Sequence, residues 1–229
     1  MRNPTPLRGP MNKNTLPKAM RSSACIYCGH PDAPTMDHVP PRAIFPPNLP
    51  STILMVTAPA CQRCHDANMT DDATIRNILV STQDTEKHPA IVSGLAGKRD
   101  RSLNRNDGDF RKLLESMKLV NVGSASGSGC RPEWAFDFES PIMNRFVERL
   151  SRAILSYEFH QPFFKGVFDW RVNVEIPPVV YDGIRSHGRL REVCDVFAYG
   201  VTELKGDGPS WVLANIYGTV KFFVRIAKS

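Results

Sequence analysis

The sequence lacks any apolar run long enough to cross a membrane, since polar residues interrupt every hydrophobic stretch of its 229 residues. A transmembrane helix needs about 20 consecutive, mostly apolar residues. The N-terminal segment also lacks the apolar stretch of a secretory signal. We therefore expect no membrane partner and a cytoplasmic location, where thiols stay reduced.

Acidic residues are absent from residues 1–31, and no internal repeat occurs anywhere in the chain. The net charge is +6 and the isoelectric point is about 9.1. A basic balance of this size permits a polyanionic partner such as nucleic acid without requiring one. Residues 1–20 are rich in Pro and Asn, which predicts a disordered basic tail.

Four of the six cysteines form two Cys-x-x-Cys pairs, Cys25 with Cys28 and Cys61 with Cys64. Such pairs form turns that direct two sulfur atoms at one ion, so four thiolates can close a tetrahedral Zn²⁺ site. An Asp-His dipeptide lies between the pairs, and a histidine directly follows the second pair. This arrangement suggests a structural metal that holds a second, catalytic site in place.

The residues around the cysteines predict a strand, a second strand and a helix. Asp37-His38-Val39 reads as a short extended segment, which the following prolines end. Ile53–Thr57 is an apolar, β-branched run typical of a strand. A helix should follow Cys64, beginning either at the cysteine pair or at Thr70, where Thr-Asp-Asp gives a cap and an acidic first turn.

This pattern resembles the HNH (ββα-metal) endonucleases, and within them the zinc-bearing subgroup that includes phage recombination endonuclease VII. The resemblance covers residues 25–80. It implies that His38 is a general base, and that Asp37 and His65 bind one divalent cation, Mg²⁺ or Mn²⁺. It also implies phosphodiester hydrolysis, and a structural zinc held by Cys25, Cys28, Cys61 and Cys64.

The chain departs from the family pattern at two positions. The third HNH position is often asparagine but is His65 here, which the family also allows; the other departure is in the second strand. Many members carry an asparagine before or within the second strand that steadies the histidine base, whereas this chain has Leu54 there. Asn48 could substitute from the preceding loop. Asn68 lies one turn after His65 and is an alternative second ligand if the helix begins at the cysteine pair.

The rest of the chain predicts an α+β fold: an N-terminal ββα-metal zinc module followed by a helix-plus-antiparallel-sheet domain. The zinc module occupies residues 21–84. A basic helical connector and a Gly/Ser linker occupy 85–129, with an amphipathic helix over 110–117. The C-terminal α+β domain occupies 130–229 and carries no chemical motif that identifies its role.

The sequence thus predicts a metal-dependent endonuclease acting on DNA, with RNA as an alternative substrate. Arg42, Arg63 and Arg99 are the candidate phosphate contacts. The C-terminal domain could form a homodimer or bind a partner protein. The main alternative is a non-catalytic zinc module that binds nucleic acid or protein; an iron site and a redox Cys pair fit the cysteine pattern less well.

Overall fold

The computed structural model describes residues 24–50, 52–53, 55–82, 85–123, 130–203 and 208–229. Helices and antiparallel sheets occur together in it, which confirms the predicted α+β class. In these residues no helix is long and apolar enough to cross a membrane. The predicted tail 1–20, Leu54 and positions 124–129 of the Gly/Ser linker lie outside the described residues.

The N-terminal part is a two-stranded antiparallel sheet followed by a helix. Strand β1, Thr35–Val39, pairs with β2, Val56–Ala60, and helix α1 then runs from Gln62 to Ser81. The predicted order of strand, strand and helix is confirmed. The second strand lies three residues later than the predicted Ile53–Thr57, and α1 begins at the cysteine pair rather than restarting at Thr70.

The middle of the chain is helical and then forms a hairpin. The bounds are α2 Ala96–Arg105, α3 Asp107–Glu115, β3 Met117–Gly123 and β4 Cys130–Phe136. A π-helical segment, Ile91–Leu95, leads into α2, and Asn106 caps α3 by accepting a hydrogen bond from the backbone N–H of Gly108. The amphipathic helix expected over 110–117 is present but ends at Glu115. The β3–β4 hairpin that follows was not predicted.

A long helix and a five-stranded antiparallel sheet form the C-terminal part. The elements are α4 Pro141–Phe159, β5 Gly166–Val172, α5 Pro178–His187, β6 Arg189–Val193, β7 Phe197–Val201, β8 Ser210–Ile216 and β9 Val220–Lys228. The strand order in the sheet is β5-β9-β8-β7-β6. Tyr217 and Gly218 lie at the hairpin turn between β8 and β9, and both have positive φ. Helix α5 and strand β6 were not predicted.

Helix α4 packs on the C-terminal sheet and on the N-terminal strands. Phe146 meets Phe222 of β9 edge to face, with ring centroids 5.9 Å apart, and buried residues from both parts form one hydrophobic core. The proposed division at residues 84 and 130 stays a prediction. On the face of α4 opposite the apolar stripe, Arg149 and Arg152 are buried whereas Arg145 is exposed. Glu148 and Arg152 form an i, i+4 ion pair.

Candidate active site and cysteine cluster

The four paired cysteines converge at the junction of the N-terminal turn, β2 and α1. Their sulfur atoms all lie within 4.8 Å of one another, and the group could hold a metal ion. The Sγ atoms of Cys28 and Cys61 are 3.7 Å apart. Cys130 and Cys194 stand outside the cluster.

Backbone hydrogen bonds fold the first cysteine pair into a turn and attach it to β2. The N–H of Gly29 donates to the carbonyl of Cys25 at 2.8 Å, and the N–H of Ile26 donates to the carbonyl of Pro59 at 3.1 Å. Gly29 has φ of 76°, which glycine adopts without steric strain. The second pair straddles the start of α1, where the N–H of His65 donates to the carbonyl of Cys61.

The thiols differ in their tendency to ionise. Burial raises the pKa of Cys25 and of Cys64, and at Cys64 hydrogen bonding to neighbouring sulfurs raises the pKa further. At Cys28 burial acts in the same direction, but hydrogen bonds, the largest from the backbone of His30, outweigh it and lower the pKa to about 7. A bound cation would favour the thiolate form at all four positions.

Asp37 is the buried carboxylate of the site, and its two oxygens have different neighbours. The hydroxyl of Tyr27 and the side-chain amide of Asn68 both donate to Oδ2, at 3.0 Å and 2.7 Å. Oδ1 lies 3.6 Å from Nδ1 of His65. That separation is too long for a hydrogen bond. Nδ1 of His65 is buried and has no hydrogen-bond partner in the described part of the chain.

His38 occupies the opposite side of β1 from Asp37. The β1–β2 ladder is regular, with His38 opposite Thr57 and Asp37 opposite Ala58, so the two side chains alternate across the strand. Asp37 is buried, whereas His38 is exposed. Partial loss of solvent around the ring lowers the pKa of His38, and the charges of Arg42 and His65 lower it further against the opposing effect of Asp37.

The residues proposed to steady His38 do not contact it. Asn48 is exposed in the loop before β2, and among the described residues no hydrogen bond reaches the His38 ring from Asn48 or any other side chain. Asn68, considered as a metal ligand, instead directs its amide N–H at Asp37. Of the two candidate ligands, His65 therefore has a ring nitrogen without a hydrogen-bond partner in the described part of the chain, whereas Asn68 is already bonded to Asp37.

The three candidate phosphate contacts lie in different places. Arg42 is exposed in a 3₁₀ turn, Arg42–Ile44, and is close enough to His38 to lower its pKa. Arg63 is exposed in the first turn of α1. Arg99 is not brought to the site: it contacts Asp100 and the hydroxyl of Ser81, at the opposite end of α1 from His65. The helical rise puts these ends about 24 Å apart.

Helix α4 reaches the site through Arg149. The guanidinium is 6% exposed and lies 2.6 Å from Asp72 of α1. Its positive charge also extends to Tyr27, where it partly offsets the effects of burial and of Asp37 that raise the pKa of the phenol well above its usual range. Tyr27 therefore keeps its proton at neutral pH and acts as a hydrogen-bond donor.

Comparison of the chain with known protein families, with characterised proteins and with solved structures gave no match. The site combines a four-cysteine cluster with a neighbouring buried carboxylate. The carboxylate faces an imidazole nitrogen that has no hydrogen-bond partner among the described residues.

Proposed function

We propose that this chain is a zinc-stabilised, metal-dependent HNH endonuclease that hydrolyses phosphodiester bonds in DNA. The observation that carries the proposal is the pair of Asp37 Oδ1 and His65 Nδ1, which face each other at 3.6 Å without a hydrogen bond. The strand-strand-helix order and the four-cysteine cluster around this pair support the resemblance drawn from the sequence.

The Asp37–His65 pair fits a divalent cation. Two ligands that bind one ion at about 2.1 Å each lie at most about 4.2 Å apart, and the observed separation is within that limit. A buried nitrogen without a partner is costly unless something binds it, and a cation would fill this role. Bound there, Mg²⁺ or Mn²⁺ would neutralise charge on the scissile phosphate and its leaving oxygen.

The cysteine cluster fits zinc. A tetrahedral site with zinc–sulfur bonds of about 2.3 Å places its sulfurs about 3.8 Å apart, close to the 3.7 Å between Cys28 and Cys61. Four sulfur ligands leave no open position, so this ion would have a structural role. Thiols that must stay reduced to bind it also fit the cytoplasm.

His38 would act as the general base that takes a proton from the attacking water. A histidine suits this role because its pKa lies near neutral pH. Loss of solvent and the charge of Arg42 lower the pKa of His38, which keeps the ring neutral and able to accept a proton. Its exposed position on β1 leaves it accessible to a substrate.

DNA is the substrate favoured by the family resemblance and by the net charge of +6, and RNA is the alternative. Arg42 and Arg63 are exposed on the same module as His38 and would contact phosphates, which makes binding fall with increasing salt. The C-terminal part would select the target or contact a second copy or another protein.

One observation favours the alternative of a non-catalytic zinc module that binds nucleic acid or protein. In the described residues no side chain holds the His38 ring by a hydrogen bond, and a general base is normally oriented by such a partner. The alternative retains the cysteine cluster and the exposed arginines but predicts binding without hydrolysis.

A plasmid assay separates these functions. Purified wild-type protein is incubated with supercoiled plasmid and Mg²⁺ or Mn²⁺, beside His38→Ala, Asp37→Asn and a Cys130→Ser control outside the site. The proposal expects nicking by wild type and Cys130→Ser and a loss of at least about 100-fold in His38→Ala, the smaller end of what a general base contributes. Equal nicking by His38→Ala, or DNA binding without nicking in either metal, would contradict it.

A further inference from the structure

Tyr27 joins the cysteine cluster to the buried carboxylate. It lies inside the first cysteine pair, two residues after Cys25 and one before Cys28, so the turn that presents those sulfurs also fixes the backbone of Tyr27. From there its hydroxyl reaches Asp37 on β1, ten residues along the chain, and donates to Oδ2 at 3.0 Å.

The hydrogen bond leaves only one oxygen of Asp37 open. Oδ2 accepts from Tyr27 on one element and from Asn68 on another. Two donors from separate elements fix the plane of a carboxylate more firmly than one, because rotation about its terminal bond would break both contacts. The remaining oxygen, Oδ1, is then directed toward Nδ1 of His65.

We propose that Tyr27 is a positioning residue for the Asp37–His65 cation site: its hydroxyl holds the Asp37 carboxylate so that Oδ1 faces His65. This inference rests on the proposed function and adds a residue to it. Hydrogen bonds from outside the coordination sphere orient a metal-binding carboxylate, and their loss typically weakens metal affinity about 10- to 100-fold.

The position of Tyr27 also links the two metal sites. Because the tyrosine belongs to the turn that carries Cys25 and Cys28, an ion in the cysteine cluster would keep the phenol in place. Release of that ion would free the turn and remove one of the two donors to Asp37. The cysteine cluster would thus set the affinity of the second site as well as the stability of the module.

The test removes one oxygen atom. Tyr27→Phe keeps the ring and deletes the hydroxyl; Tyr181→Phe, in an exposed part of α5, is the matched control. Mn²⁺ binding to the zinc-loaded full-length chain is measured by calorimetry, with zinc content and the urea unfolding midpoint measured on the same samples. We expect Tyr27→Phe to bind Mn²⁺ about 10- to 100-fold more weakly at unchanged zinc content.

A second readout separates positioning from a general loss of structure. If Tyr27 only orients Asp37, the Mn²⁺ concentration for half-maximal nicking rises while the rate at saturating Mn²⁺ returns toward that of wild type. Wild-type affinity for Mn²⁺ in Tyr27→Phe would overturn the inference and leave the nuclease proposal intact. Wild-type protein that binds no Mn²⁺ would overturn both.

Discussion

The hydroxyl of Tyr217 donates a hydrogen bond of 2.6 Å to the backbone carbonyl of Ile44. Tyr217 lies at the turn between β8 and β9, and Ile44 lies in the turn that follows β1, 173 residues earlier. Both residues are buried. The last hairpin of the chain is therefore bonded directly to the segment that carries Arg42.

Removing this contact should destabilise the protein as a whole. Tyr217→Phe leaves the buried Ile44 carbonyl without a donor, which typically costs about 1–3 kcal/mol. We expect a loss of that size in the free energy of unfolding, measured by urea denaturation, in a single transition. Tyr181→Phe, an exposed control, should change it by less than about 0.5 kcal/mol. Two separate unfolding transitions would show that the N-terminal and C-terminal parts of the chain unfold independently.

The ion pair between Arg149 and Asp72 should stabilise the protein more than the pair between Arg145 and Asp71, which joins the same two helices. Arg149→Met leaves Asp72 without its cation, and breaking a buried pair costs about 3–5 kcal/mol. Burial already raises the pKa of Asp72 against the effect of Arg149, so the carboxylate would then tend to take up a proton, which reduces the loss.

Arg145 provides the matched control for this prediction. It pairs with Asp71 at 2.8 Å but is 60% exposed, and exposed pairs contribute about 0–1 kcal/mol. Chemical denaturation should therefore show a larger loss in the free energy of unfolding for Arg149→Met than for Arg145→Met. Equal losses in the two variants would show that the buried pair does not stabilise the contact between α1 and α4.

Loss of one cluster cysteine should remove the metal and lower stability. Cys61→Ser replaces a sulfur at the start of α1, and structural zinc supplies on the order of 10 kcal/mol of binding free energy in zinc-finger peptides. We expect elemental analysis to show less zinc than in wild type, and the thermal midpoint to fall, with chelation of wild type giving the same shift. Cys130 lies outside the cluster. The Cys130→Ser variant should therefore have the zinc content and the thermal midpoint of wild type.

The pH dependence of nicking should reflect the lowered pKa of His38. A general base works in its neutral form, which predominates above its pKa, so the rate should fall on the acid side at a pH below the ordinary value of 6.5. Arg42→Gln removes a positive charge that lowers this pKa. We expect the acid limb of the variant to move upward toward 6.5, measured as nicking rate against pH.

The shift of the acid limb in Arg42→Gln should be partial. Loss of solvent around the His38 ring is the larger cause of its lowered pKa, and it remains in this variant. Arg63→Gln is a control that removes an exposed charge not among the groups acting on His38. An unchanged acid limb in Arg42→Gln, or the same shift in both variants, would argue that another group limits the rate.

The cysteine cluster and the order of the surrounding elements could be predicted from the sequence, because short ligand spacings report local geometry directly. The C-terminal end of strand β2 could not be predicted in this way. Ala58, Pro59 and Ala60 have weak strand propensity, yet they pair with β1, and Ala58 and Ala60 are buried. Tertiary pairing therefore extended the strand where propensity did not.

The supporting residues of the site were missed for a related reason. No sequence motif marks Tyr27 or Arg149 as part of the site, and only the fold brings them to Asp37 and Asp72. The β3–β4 hairpin was missed because its apolar residues do not mark a buried face: Leu119 is 58% exposed and Trp134 is 68% exposed. Sequence periodicity detects such strands only when one face enters a core.

Cys64 and His65 are adjacent in the first turn of α1, and Tyr27 lies between the other two sulfurs of the cluster. Each cysteine pair is thus attached to a residue that lies beside the Asp37 carboxylate: Tyr27 at Oδ2 and His65 at Oδ1. Oxidation of the thiols to disulfides would therefore disturb the surroundings of Asp37 while leaving its carboxylate and the ring of His65 chemically unchanged.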